Sequence, residues 1–322
     1  MLSSHIATQS APASRQRAKP RIGRRLWNDR WIYLFLLPTI TLYALFTFWP
    51  IIASYWYSML DWNGFSSDQT FVGLANYREV VHDPLFWRAF KNSFIYMAGV
   101  VPLRVGLALI AAIVLNDRRL PFAKVFRTAL FLPVVTTTAI VGVLMRFIFD
   151  PASGPVNTVL LNLGIVDRPV DFLGRSNSAL FTAIGVDVWK WFGLTLIYWL
   201  AALQTVPEDV KEAARVDGAG PVQAFWHITL PLLKPFAIII TLITAIGALH
   251  SFDLILTLTG GGPALSTEVV EVYIYRWAFA SSIPRLGYAS AAAVFFGIAT
   301  LALAVIQAIG LRQAQRMRNS NG

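Results

Sequence analysis

The sequence predicts an all-α integral membrane protein with six transmembrane helices and a folded polar loop on the cytoplasmic side. Three observations carry that prediction. Of 322 residues, 56% are hydrophobic and only 14% charged, and the mean hydropathy is +0.57. A soluble domain of that composition would expose too much apolar surface to stay dispersed. Several apolar runs reach about 20 residues, enough to cross a hydrocarbon core of about 30 Å at about 1.5 Å per residue. The basic residues, finally, gather at the ends of those runs and favour one side.

Taken in order, residues 1–30 are polar and basic, rich in Ser, Gln, Ala and Pro, and read as a disordered cytoplasmic tail. They lack the short apolar region and small-residue cleavage site of a signal peptide. The first span is expected over Trp31–Tyr55, with Pro38 and Pro50 inside it. Proline is tolerated in a membrane helix where neighbouring groups satisfy the freed carbonyl. Further spans are expected at Ser93–Leu115, Thr128–Phe149, Ala179–Leu203, Phe236–Thr257 and Tyr288–Leu311. The membrane domain is thus 31–311, interrupted by a polar loop at 205–235, and residues 312–322 form a second tail.

With the N-terminus inside, the inner segments carry seventeen Lys and Arg, including Arg15, Arg17, Arg118, Lys124, Lys211 and Arg316, against seven in the outer loops. The positive-inside rule then places both termini and the 205–235 loop in the cytoplasm.

Several chemistries are excluded. With no cysteine, disulfides, thiolate metal sites and Cys nucleophiles are absent. The four histidines (His5, His82, His227, His250) form no His-Glu-x-x-His pair. No Gly-x-x-x-x-Gly-Lys-Ser/Thr loop exists, so no cofactor is expected in this chain, and any ATP and Mg belong to a separate subunit. The net charge of +10 sits at helix ends rather than on a soluble face, which argues against nucleic acid.

The polar loop has its own punctuation. Thr205-Val206-Pro207-Glu208-Asp209 starts a helix, with Pro near the first position and acids at the positive end of the dipole. The helix runs through Lys211, Glu212, Ala213, Ala214 and Arg215 towards Asp217, and Gly218 stops it. Gly220-Pro221 starts a second short helix, expected to end or bend at Pro231 and Pro235 before span five. Ala213 and Ala214 make a low face for close docking. Glu212 and Arg215 can form charge-assisted bonds to a partner or to the second helix. An ordinary amphipathic surface helix would look similar.

Glu212-Ala213-Ala214, three residues, Gly218, nine residues, then Ile228-Thr229-Leu230-Pro231 resembles the coupling loop of binding-protein-dependent ABC import permeases, without a gap. The likeness extends to Tyr33-Leu34-Phe35-Leu36-Leu37-Pro38 and Asp61-Trp62. It continues in Arg127-Thr128-Ala129-Leu130-Phe131-Leu132-Pro133, Gly154-Pro155-Val156-Asn157, Thr259-Gly260-Gly261-Gly262-Pro263 and Leu286-Gly287-Tyr288-Ala289-Ser290. Each piece alone is weak, and the ordered set over roughly residues 30–312 is strong. It is similar to the larger permease subunit of the carbohydrate importers, the lactose- and glycerol-phosphate-type branch. The resemblance implies the type I ABC importer permease fold in a bacterial inner membrane. It also implies a heterodimer with a second, related permease, two ATPase subunits that contact Glu212, Ala213, Ala214, Arg215, Asp217 and Gly218, and an external solute-binding protein. The cargo would be a sugar or sugar derivative, moved inward by alternating access.

For the sugar site, the resemblance points to span-four positions Asp187, Lys190, Trp191 and Leu194, and to span five near His250 and Ser251. In-membrane charges are expensive and usually face a cavity or partner. Asp187 and Lys190, three apart on a helix, could neutralise each other; a Lys190 without a partner would favour an anionic sugar. Trp189 and Trp191 offer aromatic rings to the apolar faces of sugars. Lys190 snorkelling to the interface, with the tryptophans facing lipid, is the alternative. His250 and Asp253 are three apart and could bond to each other. Thr137, with Thr136 and Thr138, offers hydroxyls, although membrane threonines commonly bond back to their own helix. Arg104 and Arg146 read as packing or anchoring residues. The aromatic run Tyr273, Tyr275, Trp277 and Phe279 in external loop 257–285 fits an interfacial belt or a binding-protein contact.

A secondary transporter of a small polar solute is the alternative function. It would leave the 205–235 loop unexplained, and no convincing internal repeat is found. A membrane enzyme would need motif neighbours around Asp187 or Asp253, and neither has them.

Overall fold

The computed structural model describes residues 30–117 and 120–320. The expected tail before Arg30, Arg118, Arg119 and the last two residues lie outside them. The chain divides into two compact units, one ending at Ala53 and one beginning at Ser54. In the first unit, α1 (Arg30–Tyr43) passes through Pro38 into a π turn at Ala44–Phe48. There the Trp49 N–H donates to the Ala44 carbonyl, five residues back, just ahead of Pro50, which has no N–H to give. α2 (Trp49–Tyr57) follows, so an apolar span runs from Leu34 to Tyr57.

The second unit opens with a two-stranded ribbon, β1 (Leu60–Asp61) antiparallel to β2 (Thr70–Phe71), and α3 (Ala75–His82). Span two, α4, is longer than expected at Pro84–Leu115. Its extra turns come from a strong start: Pro84 sits at the first position and the Asp83 carboxylate caps the Leu85 N–H at 2.7 Å. The periodicity of α4 is hidden in its hydropathy because both faces are apolar. It shows in burial: Tyr96, Val100, Arg104, Ala108 and Ala112 face inward, while Leu103, Leu107, Ile110 and Val114 face outward.

Span three is not one helix. α5 (Ala123–Val135) and α6 (Thr138–Ile148) meet at 99° across Thr136 and Thr137. After α7 (Pro155–Asn162), span four is the continuous α8 (Ser176–Leu203). Span five breaks at His250–Ser251 into α11 (Leu230–Leu249) and α12 (Phe252–Leu258). α13 (Val270–Tyr275) and the long α14 (Leu286–Ser320) complete the unit. Among the described residues there are therefore five continuous spans and one bent pair.

The loop between α8 and α11 holds α9 (Glu208–Val216) and α10 (Pro221–Ala224). Acids occupy the first turn of α9 as expected. Its end is a Schellman motif: Ala219 N–H reaches the Ala214 carbonyl, Gly218 N–H reaches that of Arg215, and Gly218 takes φ +83°. The second loop helix differs from expectation. It does not stop at Pro231 or Pro235, because a π turn at Phe225–Thr229 joins α10 to α11 and the whole of Pro221–Leu249 is one rod. A proline removes a single ladder bond, which a membrane helix tolerates.

The 257–285 aromatics are packed rather than arranged as a belt. Tyr273 is fully buried, and its hydroxyl bonds to the Asp83 carboxylate and to Tyr288 Oη at 2.6 Å. Phe279 alone of that run is largely exposed.

Candidate functional site: a polar layer between two cores

Among the described residues, three apolar cores lie in the second unit: one around Phe86, Tyr273 and Tyr288, and two that α4 and α8 share. The loop-side core holds Ala108, Ala112, Leu196, Trp199, Leu203, Leu233 and Ile240. The distal core holds Tyr96, Val100, Val141, Ile184, Leu254, Ile255 and Val272. On α4, Arg104 falls between the stretches that feed each core, and on α8 Asp187 and Lys190 fall at the end of the distal stretch, ahead of Leu196.

There Arg104 Nη1 meets Asp187 Oδ1 at 3.1 Å, with both side chains under a tenth exposed. Arg104 Nη2 also donates to the Thr244 carbonyl at 3.2 Å. This pair opens onto a cavity of about 280 Å³. From α8, Asp187, Trp191, Leu194, Thr195 and Tyr198 line it, positions that recur every three or four residues along one face. From span five come Ile243, Thr244, Gly247, His250, Ser251, Asp253 and Leu254; Thr138 enters from α6. The breaks in spans three and five therefore both fall beside the cavity. Each turns a residue next to the break, Thr138 or Ser251, towards it.

Of the expected sugar-site residues, the structure brings Asp187, Trp191, Leu194, His250 and Ser251 together. Lys190 is elsewhere. Its ammonium, on a side of α8 turned towards α5, donates to the carbonyls of Pro133, Val134 and Thr136 at 2.9, 3.1 and 2.6 Å. These carbonyls lie where α5 ends, that of Pro133 also taking the Thr136 N–H at 3.3 Å, and the positive charge suits the negative end of that helix. The residue is 1% exposed, so it does not snorkel, and Asp187 takes Arg104 as its close partner rather than Lys190. One turn along, Gly193 lets α5 touch α8: a Cβ there would stand 2.3 Å from the Leu130 carbonyl oxygen. Trp189 is about half exposed and does not line the cavity. Thr137 is the exposed residue preceding α6, and its neighbour Thr138 faces the cavity instead. His250 Nδ1 bonds Glu271 at 2.7 Å rather than Asp253.

Sequence reasoning missed Arg104, Thr195, Tyr198 and Thr244 as lining residues, and weighed Asp253 only beside His250. For Arg104 a signal existed: a buried carboxylate in a membrane helix demands a cation, and Lys190 was one candidate of three well inside the spans. At the distal end, Glu268 is held by Arg276 at 3.1 Å. Burial pushes its carboxyl up to about 7, and Arg276 and Arg88 pull it back only in part.

On the loop, Ala214 is buried while Glu212, Ala213, Arg215, Asp217 and Gly218 are exposed. The side chains of Glu212 and Arg215 have no hydrogen-bond or ion-pair partner among the described residues. Val216, Val222 and Trp226 add exposed apolar surface, at 87%, 71% and 60%.

Residues 104–318 match the family described as the binding-protein-dependent transport system inner membrane component. The chain is 37% identical over 276 residues to a probable ABC transporter permease protein, YurN, of Bacillus subtilis, covering 85% of this chain and 94% of that one. It is 33% identical to the lactose transport system permease protein LacF of Rhizobium radiobacter, over 87% of this chain and 94% of the other. It is also similar in fold to a chain in the crystal structure of a bacterial ABC transporter that imports the acidic polysaccharide alginate. That match has a TM-score of 0.77 and 26% identity, covering 91% of this chain and 98% of that one.

Proposed function

We propose how transport is driven and where the cargo passes in a chain that belongs to the family of binding-protein-dependent transport system inner membrane components. The chain is an inner-membrane permease subunit of an ABC importer for a sugar or sugar derivative. That membership leaves the secondary-transporter alternative without support.

In the proposed arrangement, a second related permease pairs with this one and two ATPase subunits bind ATP and Mg below. A solute-binding protein delivers the sugar from outside. Both termini are cytoplasmic. The α9 loop is the surface the ATPases grip, and the cavity beside Arg104–Asp187 is this chain's share of the passage. The observation that carries this reading is the loop's construction. A Schellman-capped helix presents Glu212 and Arg215 without internal partners, beside exposed Val216 and Trp226. Exposed apolar surface flanked by charge is the make-up of a docking site. The loop then continues without interruption into the rod that lines the cavity. Closure of the ATPase dimer would reach the cavity by moving that rod, giving alternating access.

The test is binding-protein-stimulated ATP hydrolysis by the assembled complex. Glu212→Ala and Gly218→Pro should each lower stimulation about tenfold or more while the membrane segments stay folded. Wild-type assembly and stimulation in both variants would remove the coupling role.

A further inference from the structure

We propose that the cavity accepts a neutral saccharide and disfavours an anionic one, with Asp253 setting that preference. The inference rests on the reading of this chain as a sugar permease and goes further by assigning the charge class of the cargo. It follows from where each nearby charge is bound. Of the cations well inside the spans, Arg104, Arg146 and Lys190, Lys190 has all three donor hydrogens on the carbonyls at the end of α5. Arg146 does not line the cavity. Arg104 does, but its guanidinium is held by the Asp187 carboxylate and the Thr244 carbonyl. His250 is tied to Glu271. Both cationic groups at the wall are thus matched by an acid.

Asp253 is different. It lines the cavity from the first turn of α12, is exposed, and has no ion-pair partner among the described residues. The wall therefore carries one carboxylate more than it has cations to match. Its remaining groups suit hydroxyls and a pyranose face. Ser251 Oγ is buried with no partner, Tyr198 and Thr138 offer hydroxyls, and the Trp191 ring can stack on the apolar side of a sugar. An uncharged sugar hydroxyl satisfies both Ser251 and the Asp253 carboxylate. A carboxylate or phosphate placed there would face Asp253 with no free cation among the described residues, in a medium where like charges a few ångströms apart cost tenfold or more in affinity.

The experiment is direct binding to the assembled importer in nanodiscs without its binding protein, so that the latter's selectivity does not enter. Saturation-transfer NMR would compare a methyl hexoside panel with the matching methyl hexuronides. The wild type should prefer the neutral member by about tenfold or more, and Asp253→Asn should shrink that ratio to about threefold or less. Equal or tighter binding of the hexuronide by the wild type would overturn the proposal. So would an unchanged ratio in Asp253→Asn, or no hexoside binding at all. If stimulated ATP hydrolysis and sugar import survive while the cavity binds no hexoside, this inference alone fails. Loss of import as well would count against the permease reading itself.

Discussion

Two of the three apolar cores of the second unit, the loop-side and the distal, are built differently. The loop-side core draws chiefly on helices that run unbroken: α4, α8 and α11. The distal core takes α6 and α12, the far halves of the two interrupted spans, which also pack on each other. Only α4 and α8 pass substantially through both. Between the cores lies the layer of Arg104, Asp187, Lys190, Thr195 and Thr244, all buried. Buried polar groups are costly unless bonded, so this layer fixes how the two cores register rather than adding cohesion of its own. The contrast teaches that the cavity is where two packed bodies meet, and that the helix breaks allow each body its own packing.

The largest expected effect comes from breaking the layer at Lys190. Lys190→Met keeps the aliphatic stem but takes the ammonium from three carbonyls at the end of α5, of which Pro133 keeps the Thr136 N–H, at about 1–3 kcal/mol for each part-buried group left unsatisfied. The thermal midpoint of the purified complex should fall steeply, and spin labels across α5 and α6, on this cysteine-free background, should report a broadened angle. An unchanged midpoint would mean the bent pair holds itself.

A smaller effect is expected at Gly193, within the seam that joins α5 to α8. Gly193→Val drives side-chain atoms into the backbone of Leu130 and Phe131, so α5 must shift, at about 1–3 kcal/mol for overpacking. Limited proteolysis should then cut near α5 before it cuts the distal core. Cleavage of the distal core first would erase the distinction drawn between them.

The smallest effect concerns the distal end, through Glu268. Its folded carboxyl titrates at about 7, above its usual value of 4.5, so the fold favours the protonated form. That contribution is complete below pH 4.5 and is lost as pH rises through about 7. Unfolding midpoints should therefore decline modestly over that window, and Glu268→Gln should flatten the decline. A Glu268→Gln slope equal to the wild type would assign the pH response to other groups.

Much of the fold was legible because a bilayer imposes a length: apolar runs of about 20 residues mark spans wherever they occur. Gly218 was legible too, since a helix stop in the left-handed region is a local demand. The break at Thr136–Thr137 was not, because hydropathy is blind to backbone direction and both flanks are apolar. Nor was the continuity of Pro221–Leu249, where prolines suggested a stop but a π turn carries the helix on. The site was half legible. The resemblance pointed to Asp187, Trp191 and Leu194, which do share a face of α8, yet spacing grouped Lys190 with Asp187 and could not say that Lys190 points at another helix. Nor could it say that the partner of Asp187 stands 83 positions away in sequence. Helix rotation is a tertiary quantity, set by packing that no local pattern records.

The 29-residue run from Pro221 to Leu249 also has a mechanical meaning. At about 1.5 Å per residue it is a strut of about 43 Å. Its lower end carries the exposed Val222 and Trp226, and its upper end carries Ile243, Thr244 and Gly247. A stiff strut does not dissipate a thrust along the way. A tilt of only about 5° about its foot sweeps its far end by about 4 Å, comparable to the width of a water molecule and enough to open or shut a narrow passage. In the proposed arrangement, a small stroke at the bottom would thereby be geared up at the cavity.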